Sequence, residues 1–297
     1  MPSARLEAEA PPLNPVGPVD PAPPRPTRGP SSPRSPEAYG RPTARAAPAI
    51  SAGTVVVLLS LWWIASERGW VPPLFLPSPR AIWQTFLSLQ AEDSTGGTLL
   101  QHAGASLARV FGAFLVAALF AIPVGLSMGT SRILRGILDP LVEFYRPLPP
   151  LAYLPMTIIW FGIGEKQKGV LLFLAMFAPL ALSARAGVRS VAAEQVQAAL
   201  SLGASRRQIF LHVVLRAALP EILTGMRIAI GFGWTTLVAA EMVAATRGLG
   251  QMVLNASGFL RTDIMVVGIV LIGLIACTFD LLMRQLERWL VPWKGRA

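Results

Sequence analysis

Apolar residues in this chain are gathered into long runs separated by shorter polar segments. A helix that crosses a bilayer needs ~20 predominantly apolar residues. Six stretches approach that length, at about residues 50–66, 105–128, 140–162, 169–187, 222–242 and 263–283. The pattern predicts an all-α membrane protein with six transmembrane helices. The segment 79–90 (PRAIWQTFLSLQ) is amphipathic but too short to cross, and is expected to lie at a membrane interface.

Four prolines interrupt the third of these runs: Pro147, Pro149, Pro150 and Pro155. Proline breaks a helix. Irregular backbone at membrane depth is tolerated only where it is buried in protein or lines a water-filled cavity. The break therefore predicts a translocation path beside the third span.

Composition supports the membrane class. The 297 residues are 53% hydrophobic and 14% charged, with a mean hydropathy of +0.53, which excludes an ordinary soluble domain. The first 48 residues are different, because they hold 14 of the 27 prolines and six arginines. We expect a disordered tail at 1–48, a first helix with an external segment at 49–104, a core at 105–290 and a short cytosolic tail at 291–297.

Lys and Arg are unevenly distributed between the two sides of this topology. The tail, the 129–138 and 185–221 loops and the segment after residue 283 carry 17 of them, whereas the opposite loops carry six. The positive-inside rule places the richer side in the cytosol. We therefore expect a multi-pass membrane protein with both termini cytoplasmic.

A patterned polar insert, QAALSLGASRRQIFLHVVLRAALP (197–220), lies within the cytosolic loop 190–220 between the fourth and fifth spans. It predicts two short helices joined at a turn and closed by Pro220. Gly203 can end the first helix with φ > 0, and Ser205 can cap the second. We call residues 197–220 the polar module.

The chain carries no recognisable catalytic signature. It has no G-x-x-x-x-G-K-[ST] phosphate loop, no G-x-S-x-G elbow and no cluster with metal-ligand spacing. We therefore expect neither an enzyme nor a chain that binds a cofactor itself, and any energy source must belong to a partner.

The polar module resembles the EAA loop of permease subunits of ATP-binding-cassette (ABC) importers. Ala198, Ala199, Gly203, Val213 and Leu215 match its pattern, whereas Gln197 replaces the usual Glu and Arg216 the usual Pro. The stretches at 137–165 and 220–250 and the closing LERWLVPW resemble the taurine/nitrate/sulfonate group of these permeases. The resemblance covers about residues 50–295 and is greatest for taurine permeases.

This resemblance implies the type I importer fold, a location in the bacterial inner membrane, and the polar module as a cytosolic coupling helix. It further implies a homodimer, two ATPase subunits that bind ATP and Mg²⁺, an external or periplasmic binding protein, and alternating access. The implied ATPase-coupling residues are Gln197, Ala198, Ala199, Leu202, Gly203, Ser205 and Arg206.

Candidates for the substrate path come from costly charges within spans and from hydroxyl donors. They are Glu143, Arg146, Trp234, Thr235, Thr236 and Glu241. For Glu241, contact with a binding protein, gating and a structural role all stay open. Taurine is the expected substrate. The alternatives are nitrate, an alkanesulfonate or another small organic anion, and, outside the class, a secondary transporter or a membrane scaffold.

Overall fold

The computed structural model describes residues 46–91 and 96–292, so the predicted tail lies almost entirely outside the described residues. Within these two ranges every regular element is helical, which confirms the expected class. The chain divides into two compact units, residues 1–57 and 58–297. The described part of the first unit is the beginning of helix α1. The second unit holds the remainder of α1 and all later helices.

The helices have the following bounds: α1 Ala46–Glu67, α2 Pro79–Ala91, α3 Leu99–Thr130, α4 Arg132–Tyr145, α5 Leu154–Phe161, α6 Glu165–Arg189, α7 Ala193–Ser201, α8 Arg206–Gln208, α9 Leu215–Ala244, α10 Leu249–Gly258 and α11 Thr262–Leu290. A 3₁₀ turn, Pro150–Tyr153, precedes α5, and a π-helical stretch, Ile209–Val214, joins α8 to α9. In the described ranges, five stretches are long and apolar enough to cross a membrane, and they coincide with five of the six predicted spans.

The third predicted span is divided by its prolines into α4, the 3₁₀ turn and α5. Its crossing follows from how α3 and α6 pack. Arg109 near the start of α3 meets Glu165 at the start of α6, and Gly129 near the end of α3 lies against Val188 near the end of α6. The two helices therefore run parallel, and the chain between them must return across the membrane. At ~1.5 Å per residue, α4 and α5 cover roughly 21 and 12 Å, enough together to span a bilayer core.

α9 lies antiparallel to α6 and completes the centre of the core. Gly187 of α6 contacts Ala218, and Met176 contacts Gly233 further along α9. Small residues allow these backbones to approach closely, as in other membrane bundles. Gly125 of α3 lies equally close to α6, because an added Cβ would be 2.2 Å from the carbonyl oxygen of Ala181. We call the end of the core that contains Thr130, Arg189 and the polar module the module end, and the other end the opposite end.

The amphipathic segment forms α2 and packs at the opposite end. Its Leu89 is buried in a cluster with Leu249, Met252 and Ile264 of α10 and α11. The Thr85 hydroxyl donates to Asp263 at 2.8 Å. The sequence did not predict α10, because its 10 residues are too few to cross a membrane and carry no proline or repeated polar pattern.

One expectation about the polar module is wrong. Pro220 does not close it, because Pro220 lies inside α9 and the helix runs without interruption from Arg206 to Val243. The second helix of the module is therefore the cytosolic extension of the fifth span. Arg216 lies in the first turn of α9. Because arginine has the backbone N–H that proline lacks, its presence at the position of the usual proline fits a helix that continues through this point.

Candidate functional site

The turn of the polar module has the geometry that the sequence predicts. α7 ends at Ser201, and Gly203 adopts φ +77°. A left-handed residue after a helix is most favourable for glycine. The Ser205 hydroxyl accepts from the backbone N–H of Gln208, and the Gln208 side chain accepts from the N–H of Ser205 at 2.8 Å. This capping box fixes the start of the second helix.

The module presents an open surface with an apolar tip. All seven predicted coupling residues are exposed or half-buried. Leu202 is 88% exposed and Leu200 54% exposed, on a segment that otherwise carries polar and small side chains. Ile209, which follows the turn, is buried. Leu200 and Leu202 therefore form an exposed apolar tip on this turn.

The break in the third span lines a cavity of about 460 Å³, which we call the break cavity. Its walls come from the end of α4, the 3₁₀ turn, α6 and α9. The location agrees with the physical expectation that irregular backbone in a membrane protein borders protein or water. The size is within the range of small-molecule sites.

The charged side chains in and beside the break cavity differ in the hydrogen bonds and ion pairs that they make. Arg185 makes hydrogen bonds with both Asp139 and Glu143 of α4. Among the residues that the structure describes, the side chain of Arg146, a predicted path residue, has one ion pair, at 3.7 Å with Glu143. Glu221 of α9 also lines this cavity, and the sequence analysis missed it because the fifth span was expected to begin one residue later.

A second cavity of about 520 Å³, the α9–α11 groove, holds two of the other path candidates. Trp234 and Thr235 line it together with Arg227 and Asp280. Among the described residues, the indole N–H of Trp234 has no hydrogen-bond partner. Thr236 lines neither this groove nor the break cavity, because it is buried and its hydroxyl donates to the carbonyl of Phe232 at 2.8 Å.

Glu241 lies at the opposite end and is fully buried. Its Oε1 accepts from the Ser106 hydroxyl at 2.8 Å and from Nη1 of Arg109 at 2.6 Å. Its Oε2 accepts from the backbone N–H of Gly250 at 3.0 Å. Arg109 also donates to both oxygens of Glu165, at 2.7 and 2.9 Å. These contacts join α3, α6, α9 and the start of α10.

This network has two further links. The buried ammonium of Lys168 donates to Glu165 at 2.7 Å, and the Ser106 hydroxyl accepts from the N–H of Leu249 at 2.9 Å. Of the three roles left open for Glu241, the arrangement supports the structural one, because no part of the side chain is exposed in the described chain. Sequence reasoning identified Glu241 but not its partners, which are far away in the sequence.

Comparison with known proteins agrees with this architecture. The model of the family described as "Binding-protein-dependent transport system inner membrane component" matches residues 121–292. The chain is 53% identical over 249 residues to the taurine transport system permease protein TauC of Escherichia coli. The aligned region covers 84% of this chain and 90% of that protein.

More distant relatives have other named substrates. SsuC of Escherichia coli, named for aliphatic sulfonates transport, is 36% identical over 80% of this chain and 89% of its own length. The bicarbonate transport system permease protein CmpB of Synechococcus elongatus is 33% identical over 80% of this chain and 87% of its own length.

A solved structure shares the fold. An inward-facing MetNI methionine ABC transporter chain superposes with a TM-score of 0.56 at 20% identity, over 65% of this chain and 95% of that one. The helical core and these similarities lead to one assignment. The chain belongs to the family of binding-protein-dependent transport system inner membrane components.

Proposed function

We propose that the protein is the permease subunit of an ATP-driven importer for taurine. The assignment of taurine as the substrate rests on the 53% identity to TauC over 84% of the chain. The relatives named for aliphatic sulfonates and bicarbonate are only 36% and 33% identical. Another small anion is the alternative substrate.

ATP hydrolysis is assigned to a partner. ABC ATPase subunits bind ATP and Mg²⁺ and dock on the polar module, and this chain binds no cofactor of its own. The proposal is supported by the exposed tip at Leu202, by the capped turn at Gly203 and Ser205, and by the exposed side chain of Arg206. Close approach of a partner would be eased by the small side chains of Ala198 and Ala199, with Gln197 in the position of the family's acid.

The orientation follows from charge. The module end, which carries the excess of Lys and Arg, faces the cytoplasm together with both termini. A periplasmic or lipid-anchored binding protein delivers substrate at the opposite end. Membrane lipid surrounds the apolar helices.

A second copy of the chain completes the path. The side chains of Ile228, Phe232 and Thr235 form an exposed stripe on α9. The break cavity lies on one side of this stripe and the α9–α11 groove on the other, since Phe232 lines the first and Thr235 the second. Two copies that meet along this stripe would enclose both cavities. Closure of the ATPases would then draw the two modules together and open the path outward.

Uptake in proteoliposomes tests the substrate. Vesicles contain the permease and its ATPase, with ATP and Mg²⁺ inside and the binding protein and radiolabelled taurine outside. We expect ATP-dependent accumulation of taurine that excess ethanesulfonate, nitrate or bicarbonate competes with only weakly. Accumulation of one of those anions, without accumulation of taurine, would contradict the proposed substrate. Uptake without any ATPase contradicts the transporter class.

The docking surface has a separate test. Leu202→Glu places a charge at the apolar tip and is expected to abolish co-purification of the ATPase while leaving membrane insertion intact. Gln90→Glu, an equal charge change on the exposed face of α2, is the control and should retain the ATPase. Normal ATPase binding by Leu202→Glu would show that the module is not the docking surface.

A further inference from the structure

The break cavity contains an unpaired carboxylate. Glu221 is half-buried near the start of α9. Among the described residues it has no hydrogen bond and no ion pair, whereas Asp139 and Glu143 nearby both bind Arg185. A carboxylate that is partly removed from water is costly unless it is paired. The position of Glu221 in the cavity wall therefore indicates a cationic ligand group.

The same cavity contains an arginine with free hydrogen-bonding capacity. Arg146 lies at the break, immediately after α4. Its contact with Glu143 is 3.7 Å long, and among the described residues its guanidinium makes no hydrogen bond. A guanidinium carries five N–H donors in a planar fork that matches oxyanions. Arg146 is thus available to an anionic ligand group, whereas Arg185 is not.

Two tyrosines form the wall between α4 and the 3₁₀ turn. The ring centroids of Tyr145 and Tyr153 are 6.2 Å apart, and both side chains line the cavity. Aromatic faces attract ammonium groups, more strongly where water is excluded. The cavity thus combines an unpaired carboxylate, aromatic rings and an arginine without hydrogen bonds.

We propose that the break cavity is a binding site for a zwitterion that carries an ammonium group and a sulfonate. Glu221, with the tyrosine rings, binds the ammonium, and Arg146 binds the sulfonate. This inference rests on the proposed function. It makes Glu221 the residue that distinguishes an amino-sulfonate from plain sulfonates, nitrate or bicarbonate after the binding protein has released its cargo. The cavity of about 460 Å³ accommodates such a small molecule together with water.

The test must separate the permease site from the binding protein, which selects substrate first. Proteoliposomes with ATP inside and the binding protein outside take up labelled taurine, while unlabelled taurine or ethanesulfonate is loaded inside. Internal ligand occupies the inward-open cavity and inhibits uptake without meeting the binding protein. In the wild type, we expect taurine to inhibit at a concentration at least about tenfold below that of ethanesulfonate, which lacks the ammonium, since a lost charged hydrogen bond is of that size.

Glu221→Gln should bring the two inhibitory concentrations together, and Arg146→Gln should weaken inhibition by both compounds. Glu67→Gln, which removes an exposed carboxylate near the start of α2, is the matched control and should behave as the wild type. Unchanged preference for taurine in Glu221→Gln would overturn the inference while leaving taurine import intact. Failure of the wild type to take up taurine would instead overturn the proposed function.

A second measurement covers a variant that does not transport. The purified permease–ATPase complex is heated in detergent with millimolar taurine or ethanesulfonate. Taurine should raise the melting temperature of the wild type more than ethanesulfonate does, and Glu221→Gln should abolish that difference. An equal difference in both proteins would contradict the assignment of Glu221.

Discussion

Replacing Glu241 by glutamine tests whether its buried carboxylate holds the opposite end of the core together. The change preserves side-chain size but exchanges one acceptor oxygen for an NH₂ donor. In one amide orientation the new donor faces the N–H of Gly250, 3.0 Å from Oε2. In the other it faces Nη1 of Arg109, 2.6 Å from Oε1. In either orientation, the amide NH₂ faces another hydrogen-bond donor in a buried site.

The expected cost follows from what remains paired. Removing one partner of a buried ion pair destabilises a protein by about 3–5 kcal/mol. Arg109 keeps its two hydrogen bonds to Glu165, so we expect the lower end of that range for Glu241→Gln, about 3 kcal/mol. For a chain of this size that corresponds to a decrease in melting temperature of roughly 6–12 °C.

Thermal unfolding of the purified permease in detergent measures the effect, with the monodisperse fraction after heating as the readout. Glu67→Gln is the control, because its exposed 3.7 Å pair with Arg80 should contribute less than ~1 kcal/mol. A melting temperature of Glu241→Gln within 1 °C of the wild type, combined with lost stimulation by the binding protein, would refute the reasoning. Glu241 would then act in gating and not in structure.

Two glycines give further predictions. Gly125→Ala places its Cβ 2.2 Å from the carbonyl oxygen of Ala181 and should lower stability by about 1–3 kcal/mol, whereas Gly112→Ala on the same helix meets no atom within 4 Å and should be neutral or stabilising in the same melting assay. Gly203→Val forces a β-branched residue into φ +77° and should lower taurine uptake per ATP hydrolysed, whereas Gly203→Asn, which tolerates that conformation, should retain most coupling. Equal coupling ratios for the valine and asparagine variants would contradict the role assigned to this turn.

Local chemistry explains which features could be predicted. Gly203 and Ser205 adopt the predicted turn because a left-handed glycine and a hydroxyl cap are decided within a few residues. Pro147, Pro149 and Pro150 likewise break the third span, because three prolines within four residues remove several backbone donors at once, whereas the single prolines inside α3, α4 and α6 do not end those helices. Pro220 was misread because a proline near the start of a long helix can be accommodated when its neighbours supply the packing, as α6 does here.

Non-local contacts explain what was missed. Glu165 and Glu241 are 56 and 132 positions from Arg109, and no local pattern relates them. Glu221 was overlooked because the boundary of the fifth span was set by hydropathy, which counts a charge as an end. Its lack of a partner becomes visible only when the cavity walls are assembled.

The sequence by itself determined the membrane class, the crossings, the module and the likeness to a family, because apolar run length, proline, glycine and charge bias act along the chain. Only the tertiary structure decided how the crossings pack, which charges are paired and where empty space remains. Helix association in a membrane depends on close backbone approach and on satisfying buried polar groups, and both are properties of neighbours in space. Parallel packing of α3 and α6, the network at Glu241 and the unpaired Glu221 are all consequences of that assembly.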